Sequence, residues 1–133
     1  MNKIDVIIKK VSSSGGVILV DLEAENCPMS ALLINVAENP DWLTEGNEIY
    51  AVFKETEVSI AKNFTGDISL RNKLPCIIQN IKYGQLMSVI TAQFKQFTIS
   101  SAITTRSVNM LGLKPGDEIL ALIKSNEITL MKK

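Results

Sequence analysis

Two short segments in the second half of the chain concentrate side chains that donate hydrogen bonds. Ser69 and Arg71 stand directly before an apolar, β-branched run, in the sequence SLRNKLPCII. Thr104 and Ser107 stand at the start of TTRSVNMLGL, whose leading threonines and following glycine are typical of a short helix. Hydroxyl groups, a guanidinium and a helix start together suit an anion, because an anion accepts hydrogen bonds.

Each of these side chains also has an ordinary structural explanation. A threonine at a helix start, here Thr104 or Thr105, commonly caps the helix without any ligand. Lys124 precedes a short polar turn, where a lysine is usually solvated. Arg71 can pair with a surface carboxylate, or it can serve as a forked donor on an arm that reaches a neighbour. The residues alone leave the anion site and the structural interpretation both open.

The composition of the 133 residues excludes several kinds of function. The chain has 14 basic and 14 acidic residues and 5% aromatics, so it lacks both the basic excess and the stacking surface of a nucleic-acid-binding protein. It has no histidine, which removes the commonest general base and transition-metal ligand. No apolar run is long enough to span a membrane and no signal peptide is recognisable, so we expect a soluble cytoplasmic protein.

The two cysteines predict no metal site. Cys27 and Cys76 are far apart in the sequence and lack the spacing of metal ligands. We therefore expect two reduced thiols that pack as small apolar side chains in a reducing compartment.

The chain is a tandem repeat with an offset of seventy residues. The two halves align without a gap, and the segments LTEGNEIYAVFKETEVSI (43–60) and LKPGDEILALIKSNEITL (113–130) carry the clearest similarity. A gapless offset across both halves makes chance similarity of two β-rich segments improbable. We therefore predict two domains, 1–63 and 68–133, joined by a short linker near 63–67.

Each repeat predicts five strands and one short helix. In the first repeat the strands are DVIIKKV, GGVILVDLEA and MSALLI, followed by EIYAVFK and EVSIAK as a closing hairpin across the polar turn ETE. The second repeat has the same order, with the turn SNE in its hairpin. The helix falls between the third and fourth strands. The pattern predicts an all-β protein of two tandem five-stranded OB-like barrels, each with one short helix, and an open five-stranded sheet is the alternative.

Three motifs of the second repeat together resemble one known family. They are Ser-x-Arg-Asn-x-Leu before the first strand, Ile-Thr-x-x-Ser-Val-x-x-Leu-Gly-Leu at the loop and helix, and Gly-x-Glu-x-x-Ala-Leu-Ile-Lys at the fourth strand. This order over residues 69–130 is similar to the molybdopterin-binding-protein or TOBE family, the molbindins. One departure is LPC, where the family often has glycine. The resemblance implies an OB-type barrel that binds molybdate or tungstate between domains of different subunits.

The resemblance also implies which residues face the oxyanion. Two are donors on the arm, two are donors on the loop, and one is a cation at the end of the fourth strand. The last is the motif asparagine, for which a structural role fits better than ligation. The arm donors are Ser69 and Arg71, and the loop donors are Thr104 and Ser107. The cation is Lys124, and the motif asparagine is Asn72. Molybdate suits such a set, because a dianion with four acceptor oxygens needs donors and cations and has no use for carboxylates, histidines or thiolates.

The first repeat lacks most of these donors. Met1 stands where the second repeat has Arg71, and no residue matches Ser69. Ile34 and Ala37 replace the loop threonine and serine, while Lys54 alone survives. We therefore expect the first repeat to be a scaffold without a complete site.

Three functions follow from this interpretation. The leading one is a non-enzymatic molybdate- or tungstate-binding protein for storage or homeostasis, a homodimer or homotrimer with its sites at subunit interfaces. The second is the effector part of a molybdate-responsive regulator or an accessory domain of a transporter, although no helix-turn-helix and no Walker loop is present. The third is an oligomerising module that binds no ligand.

Overall fold

The computed structural model describes every residue from Met1 to Lys133 and contains two five-stranded antiparallel sheets. This confirms the all-β class and the two five-stranded units predicted from the repeat. The strands of the first repeat are β1 (Asn2–Ser14), β2 (Val17–Ala24), β3 (Cys27–Ile34), β4 (Glu48–Phe53) and β5 (Ser59–Ala61). Those of the second are β6 (Asn72–Lys82), β7 (Met87–Phe94), β8 (Phe97–Thr104), β9 (Glu118–Ile123) and β10 (Thr129–Lys132).

The strands form because buried and exposed residues alternate with a period of two. In β1, for example, Ile4, Val6 and Ile8 are buried and the residues between them are exposed. Both long first strands shift register in the same place, after Ile8 in β1 and after Ile78 in β6. Such a β-bulge bends a strand and increases its twist, which lets each sheet curl.

The fifth strand of each repeat lies in the sheet of the other repeat. β5 pairs with β9, and β10 pairs with β4. The predicted closing hairpins are therefore wrong. The connections form 3-10 turns, Glu55–Glu57 and Ser125–Glu127. None of their residues has a positive φ, which two-residue hairpin turns of type I′ or II′ require, so the chain continues onto the neighbouring sheet.

This exchange joins the two repeats into one body. The hydrophobic core is a single cluster of 27 buried residues drawn from both repeats, so neither repeat has a separate core. Each sheet combines four strands of one repeat with one strand of the other. The domain ranges 1–63 and 68–133 therefore remain a prediction that describes the two repeats of the sequence.

The one α-helix, α1 (Thr105–Leu111), lies in the second repeat. It ends at Gly112, which takes the left-handed conformation (φ 60°), as the predicted glycine stop requires. The equivalent residues 35–47 of the first repeat form bends and turns, which corrects the prediction of one helix per repeat. Pro40 falls inside this region, where its ring and missing N–H oppose a helix. No helix has the length and apolar character that a membrane span requires.

Both cysteines are free thiols, and they differ in exposure. Cys76 is buried and Cys27 is half-buried. Burial raises the pKa of the Cys76 thiol to about 12, and burial also raises the pKa of Cys27. Both thiols are therefore protonated at neutral pH, as expected for small packed side chains.

Asp117 connects the end of β5 to the loop after α1. Its carboxylate accepts hydrogen bonds from Lys114 Nζ at 2.9 Å and from Lys62 Nζ at 3.0 Å. Lys62 also donates to the carbonyl oxygen of Gly112 at 3.1 Å, where α1 ends. The hydrogen bond from Lys114, and then that from Lys62, lower the pKa of Asp117 from 3.8 to about 2.

Asp117→Asn is expected to destabilise the protein at neutral pH and to have a smaller effect in acid. A carboxyl whose pKa is lower in the folded state stabilises the fold above its unfolded pKa, and it loses that contribution as the pH falls through its folded pKa. The difference in unfolding free energy should therefore be constant above about pH 5 and shrink between about pH 4 and 2. Urea unfolding across this range measures it, with Glu118→Gln as an exposed neighbouring control. A difference that did not change with pH would contradict the assignment.

Candidate functional site

The arm before β6 carries an unpaired arginine. Ser69 and Arg71 are both exposed, and Arg71 Nη2 donates to the carbonyl oxygen of Ile68 at 3.1 Å. No carboxylate lies within 4 Å of the guanidinium. The structure therefore does not use Arg71 for a surface ion pair, which was the structural alternative.

Lys124 lies beside Arg71 at the same end of the sheet. Asn72 and Ile123 form the last pair of the β6–β9 ladder, Arg71 directly precedes Asn72, and Lys124 directly follows Ile123, so both cations adjoin the same end of this ladder. Lys124 is exposed, and it also forms no ion pair. Two uncompensated cations thus stand together where β6 begins and β9 ends.

Asn72 fixes the arm against the first repeat. Its side chain is fully buried, and Oδ1 accepts a hydrogen bond from Ser30 N at 2.7 Å. Nδ2 donates to the carbonyl oxygens of Ser30 and Ile123, both at 2.9 Å. Both amide hydrogens are used inside the chain, which supports the structural role of Asn72 over a ligating one. In the first repeat, the Asn2 side chain likewise donates to the Ser100 carbonyl oxygen and accepts from Ser100 N, both at 2.8 Å.

The loop residues Thr104 and Ser107 form a pair at the start of α1. Thr104 Oγ1 accepts a hydrogen bond from Ser107 N at 3.1 Å, and the two hydroxyl groups are 2.8 Å apart. Thr104 is therefore the helix cap, as one structural alternative predicted, and it remains exposed to solvent. Thr105 instead turns inward, where its hydroxyl bonds Ser88 Oγ at 2.7 Å and the Gly84 carbonyl at 2.8 Å.

An open cleft of about 680 Å³ adjoins this loop. Its polar lining consists of amide, hydroxyl and guanidinium groups, including Gln85, Arg106 and Asn109, and contains no carboxylate. The neighbouring Gly84 leaves no room for a side chain, because a Cβ there would collide with the Met87 carbonyl oxygen. The cleft is thus rich in donors and rests on a tightly packed turn.

The arm and the loop of one chain lie at opposite ends of β6. This strand has 11 residues between Asn72 and Lys82, which corresponds to about 35 Å along its length. The arm precedes Asn72, whereas Thr105 of the loop reaches Gly84, beyond the other end. The structure thus brings Arg71 and Lys124 together, and separately brings Thr104 and Ser107 together. One chain cannot surround a single small ion with both groups.

Two structural features were not predicted from the sequence. The paired clamps of Asn2 and Asn72 were visible only as identical residues at equivalent positions of the repeats. The bond between Ser88 and Thr105 had no sequence signal, because it joins residues of unremarkable type, one in β7 and one at the start of α1.

Comparison with known proteins identifies the family. The TOBE domain model matches residues 68–130. A solved structure of a molybdate-binding protein from Sporomusa ovata is 39% identical to this chain, with a TM-score of 0.50. The match covers 50% of this chain and 100% of that one. The chain belongs to the molbindin/TOBE family.

Two further proteins match this chain, one over about half of its length and one over nearly all of it. The molybdenum import ATP-binding protein ModC of Brucella abortus is 36% identical over 70 residues, which are 52% of the molbindin chain. The chain spans about a fifth (20%) of the length of ModC. The structure of the cytoplasmic molybdate-binding protein ModG, with molybdate bound, has a TM-score of 0.92 over 99% of the molbindin and 96% of ModG. At 24% identity, that likeness shows a shared fold.

Proposed function

We propose that this molbindin binds molybdate or tungstate between the arm of one copy and the loop of another. One observation carries the proposal. The unpaired cations Arg71 and Lys124 stand at one end of the second repeat, while the exposed hydroxyl pair of Thr104 and Ser107 stands at the other. Ser69 on the arm adds a further hydroxyl donor.

These groups match the chemistry of the ion. Molybdate is a tetrahedral dianion at neutral pH, so it requires hydrogen-bond donors and positive charge when it leaves water. Arg71 and Lys124 together supply two positive charges, which balance the dianion. Thr104 and Ser107 supply neutral donors, and the cleft that Thr104 lines contains no carboxylate. The donor set has no histidine, carboxylate or thiolate to act as a base or nucleophile, so the proposed role is binding and not catalysis.

The proposed partner is a second copy of the chain. Leu86 is 82% exposed and Met110 is 80% exposed, and both line the cleft next to Thr104. Tyr83 and Met87 are also exposed on the same turn. Exposed apolar side chains gathered in one patch are typical of a protein interface. A two-fold dimer and a closed ring of three would each bring an arm to a loop.

The proposed role is storage or homeostasis of molybdenum in the cytoplasm. The ModG fold supports it, since ModG is a cytoplasmic molybdate-binding protein that this chain matches along nearly its full length. A second candidate is an accessory or effector domain that senses the ion for a transporter or regulator. The ModC similarity favours that candidate, because ModC is a molybdenum import protein.

Isothermal titration with molybdate, tungstate, sulfate and phosphate tests the proposed function. We expect saturable binding of molybdate and tungstate, with about one ion per chain, because only the second repeat carries the full donor set. Circular dichroism and light scattering on the same sample establish that the protein is folded and oligomeric. A folded oligomer that released no heat with any of the four ions would overturn the proposal.

A further inference from the structure

A small cleft lies between the two repeats directly beside the arm. Its volume is about 280 Å³, and the second repeat contributes Arg71 and Lys73 to it. These two residues are two positions apart on the arm and β6, so their side chains lie on the same face. The first repeat lines the cleft with residues of β2 and β3, namely Leu19, Asp21, Pro28, Met29 and Ser30.

The two cations of this cleft form no ion pair within the chain. Lys73 is half-buried, and neither it nor Arg71 has a carboxylate within 4 Å. Asp21 is the one acidic residue that lines the cleft. The clamp between Asn72 and Ser30 holds this part of β6 in place, so both cations are kept at the cleft. A half-buried lysine and an exposed arginine that form no ion pair favour an anion from solution.

The first repeat provides an internal comparison. Its equivalent lysine, Lys3, lies over the ring of Tyr50, with Nζ 4.0 Å from the ring centroid. Such a cation–π contact occupies the ammonium group. The second repeat has Leu120 where the first has Tyr50, so Lys73 has no aromatic partner there. The free lysine thus occurs in the repeat that carries the other oxyanion donors, and the engaged lysine in the repeat that lacks them.

We propose that Lys73 is a third cation of the oxyanion site, and that the β2–β3 surface of the first repeat forms the wall of that site. This inference rests on the proposed binding of molybdate or tungstate. It gives the degenerate repeat a direct part in binding, beyond its role as a scaffold. It also places Asp21 near the ion, where its negative charge opposes binding.

Molybdate titrations of four variants test this inference. Lys73→Met keeps most of the apolar stem and removes the charge, and it should raise the Kd about tenfold. Lys73→Gln is a second variant in case the first folds poorly. Asp21→Asn should lower the Kd severalfold, an effect that loss of packing cannot produce. Lys3→Met is the matched control in the first repeat, and its Kd should stay within about twofold of that of the unsubstituted chain.

The outcomes separate this inference from the proposed function. If the unsubstituted chain binds molybdate and neither the Lys73 variants nor Asp21→Asn changes the Kd, the assignment of Lys73 to the site is wrong. The proposed function then still stands. Equal weakening by Lys3→Met and Lys73→Met would also overturn the inference. If the unsubstituted chain binds no oxyanion, the proposed function fails and the inference fails with it.

Discussion

Replacing Arg71 with methionine, the residue at the equivalent position of the first repeat, should raise the Kd for molybdate about a hundredfold or more. Removing one partner of a desolvated charge pair typically costs about 2–5 kcal/mol, and each 1.4 kcal/mol is a tenfold change in affinity. The guanidinium has no ion pair within the chain, so its removal should cost binding more than stability. Isothermal titration gives the Kd, and thermal unfolding without ligand verifies the fold.

The two repeats also offer a matched pair of lysines for a second binding test. Lys54 and Lys124 are exposed lysines at equivalent positions, each directly before a 3-10 turn. Lys124→Ala should weaken molybdate binding, because Lys124 lies beside Arg71. Lys54→Ala should leave the Kd unchanged, because Ile34 and Ala37 provide no donors in the first repeat. The reverse pattern would place the site in the first repeat and contradict the account.

Asn72→Ala should lower the free energy of unfolding by about 3–5 kcal/mol. Truncation removes three buried hydrogen bonds, those to the N–H and the carbonyl of Ser30 and that to the carbonyl of Ile123. Each unsatisfied buried group costs about 1–3 kcal/mol, reduced where water can enter. Because the two bonds to Ser30 join the two repeats, their loss should also weaken the inter-repeat contact. Urea unfolding measures the change.

An exposed asparagine on the same strand is the control for Asn72. Asn80 lies on the outer side of β6 without a side-chain hydrogen bond, so Asn80→Ala should change the stability by less than about 0.5 kcal/mol. A ligating role for Asn72 makes the opposite prediction. If Asn72→Ala abolished molybdate binding and left the unfolding free energy unchanged, the structural assignment would be wrong.

Local sequence pattern predicted those features of the fold that depend on neighbouring residues. The strands follow from alternating burial, as in β1 and β6, and the end of α1 follows from Gly112. The seventy-residue repeat predicted two similar sheets. These signals are local in the chain, or compare one segment with another, and they need no knowledge of which strands pair.

The exchange of fifth strands could not be predicted in the same way. The segments ETE and SNE are short and polar, which fits a hairpin turn as well as a 3-10 turn. The choice between a strand's own sheet and the neighbouring one depends on tertiary packing, because β5 and β10 have equivalent partners in both sheets. The interaction of Lys73 with the first repeat depends on that same packing. Its sequence signal was the change from Tyr50 to Leu120, which gains meaning only when the strand register is known.

The separation of arm and loop also emerged only from the fold. The motifs identified Arg71, Thr104 and Ser107 as members of one site, as the family resemblance implies. The structure places them at opposite ends of β6 within one chain. A site between copies reconciles these two observations, and it is the central claim of the account.

Mixing two defective variants tests that claim most directly. Arg71→Met disables the arm, and Ser107→Glu places a carboxylate on the loop while it keeps a favourable residue at the third helical position after the Thr104 cap. Each variant alone should bind almost no molybdate. If the two variants are refolded together in equal amounts, about a quarter of the interfaces combine an intact arm with an intact loop. Titration of the mixture should therefore recover about a quarter of the unsubstituted binding capacity. No recovery, in a mixture that native mass spectrometry shows to contain both variants in one assembly, would contradict a site shared between copies.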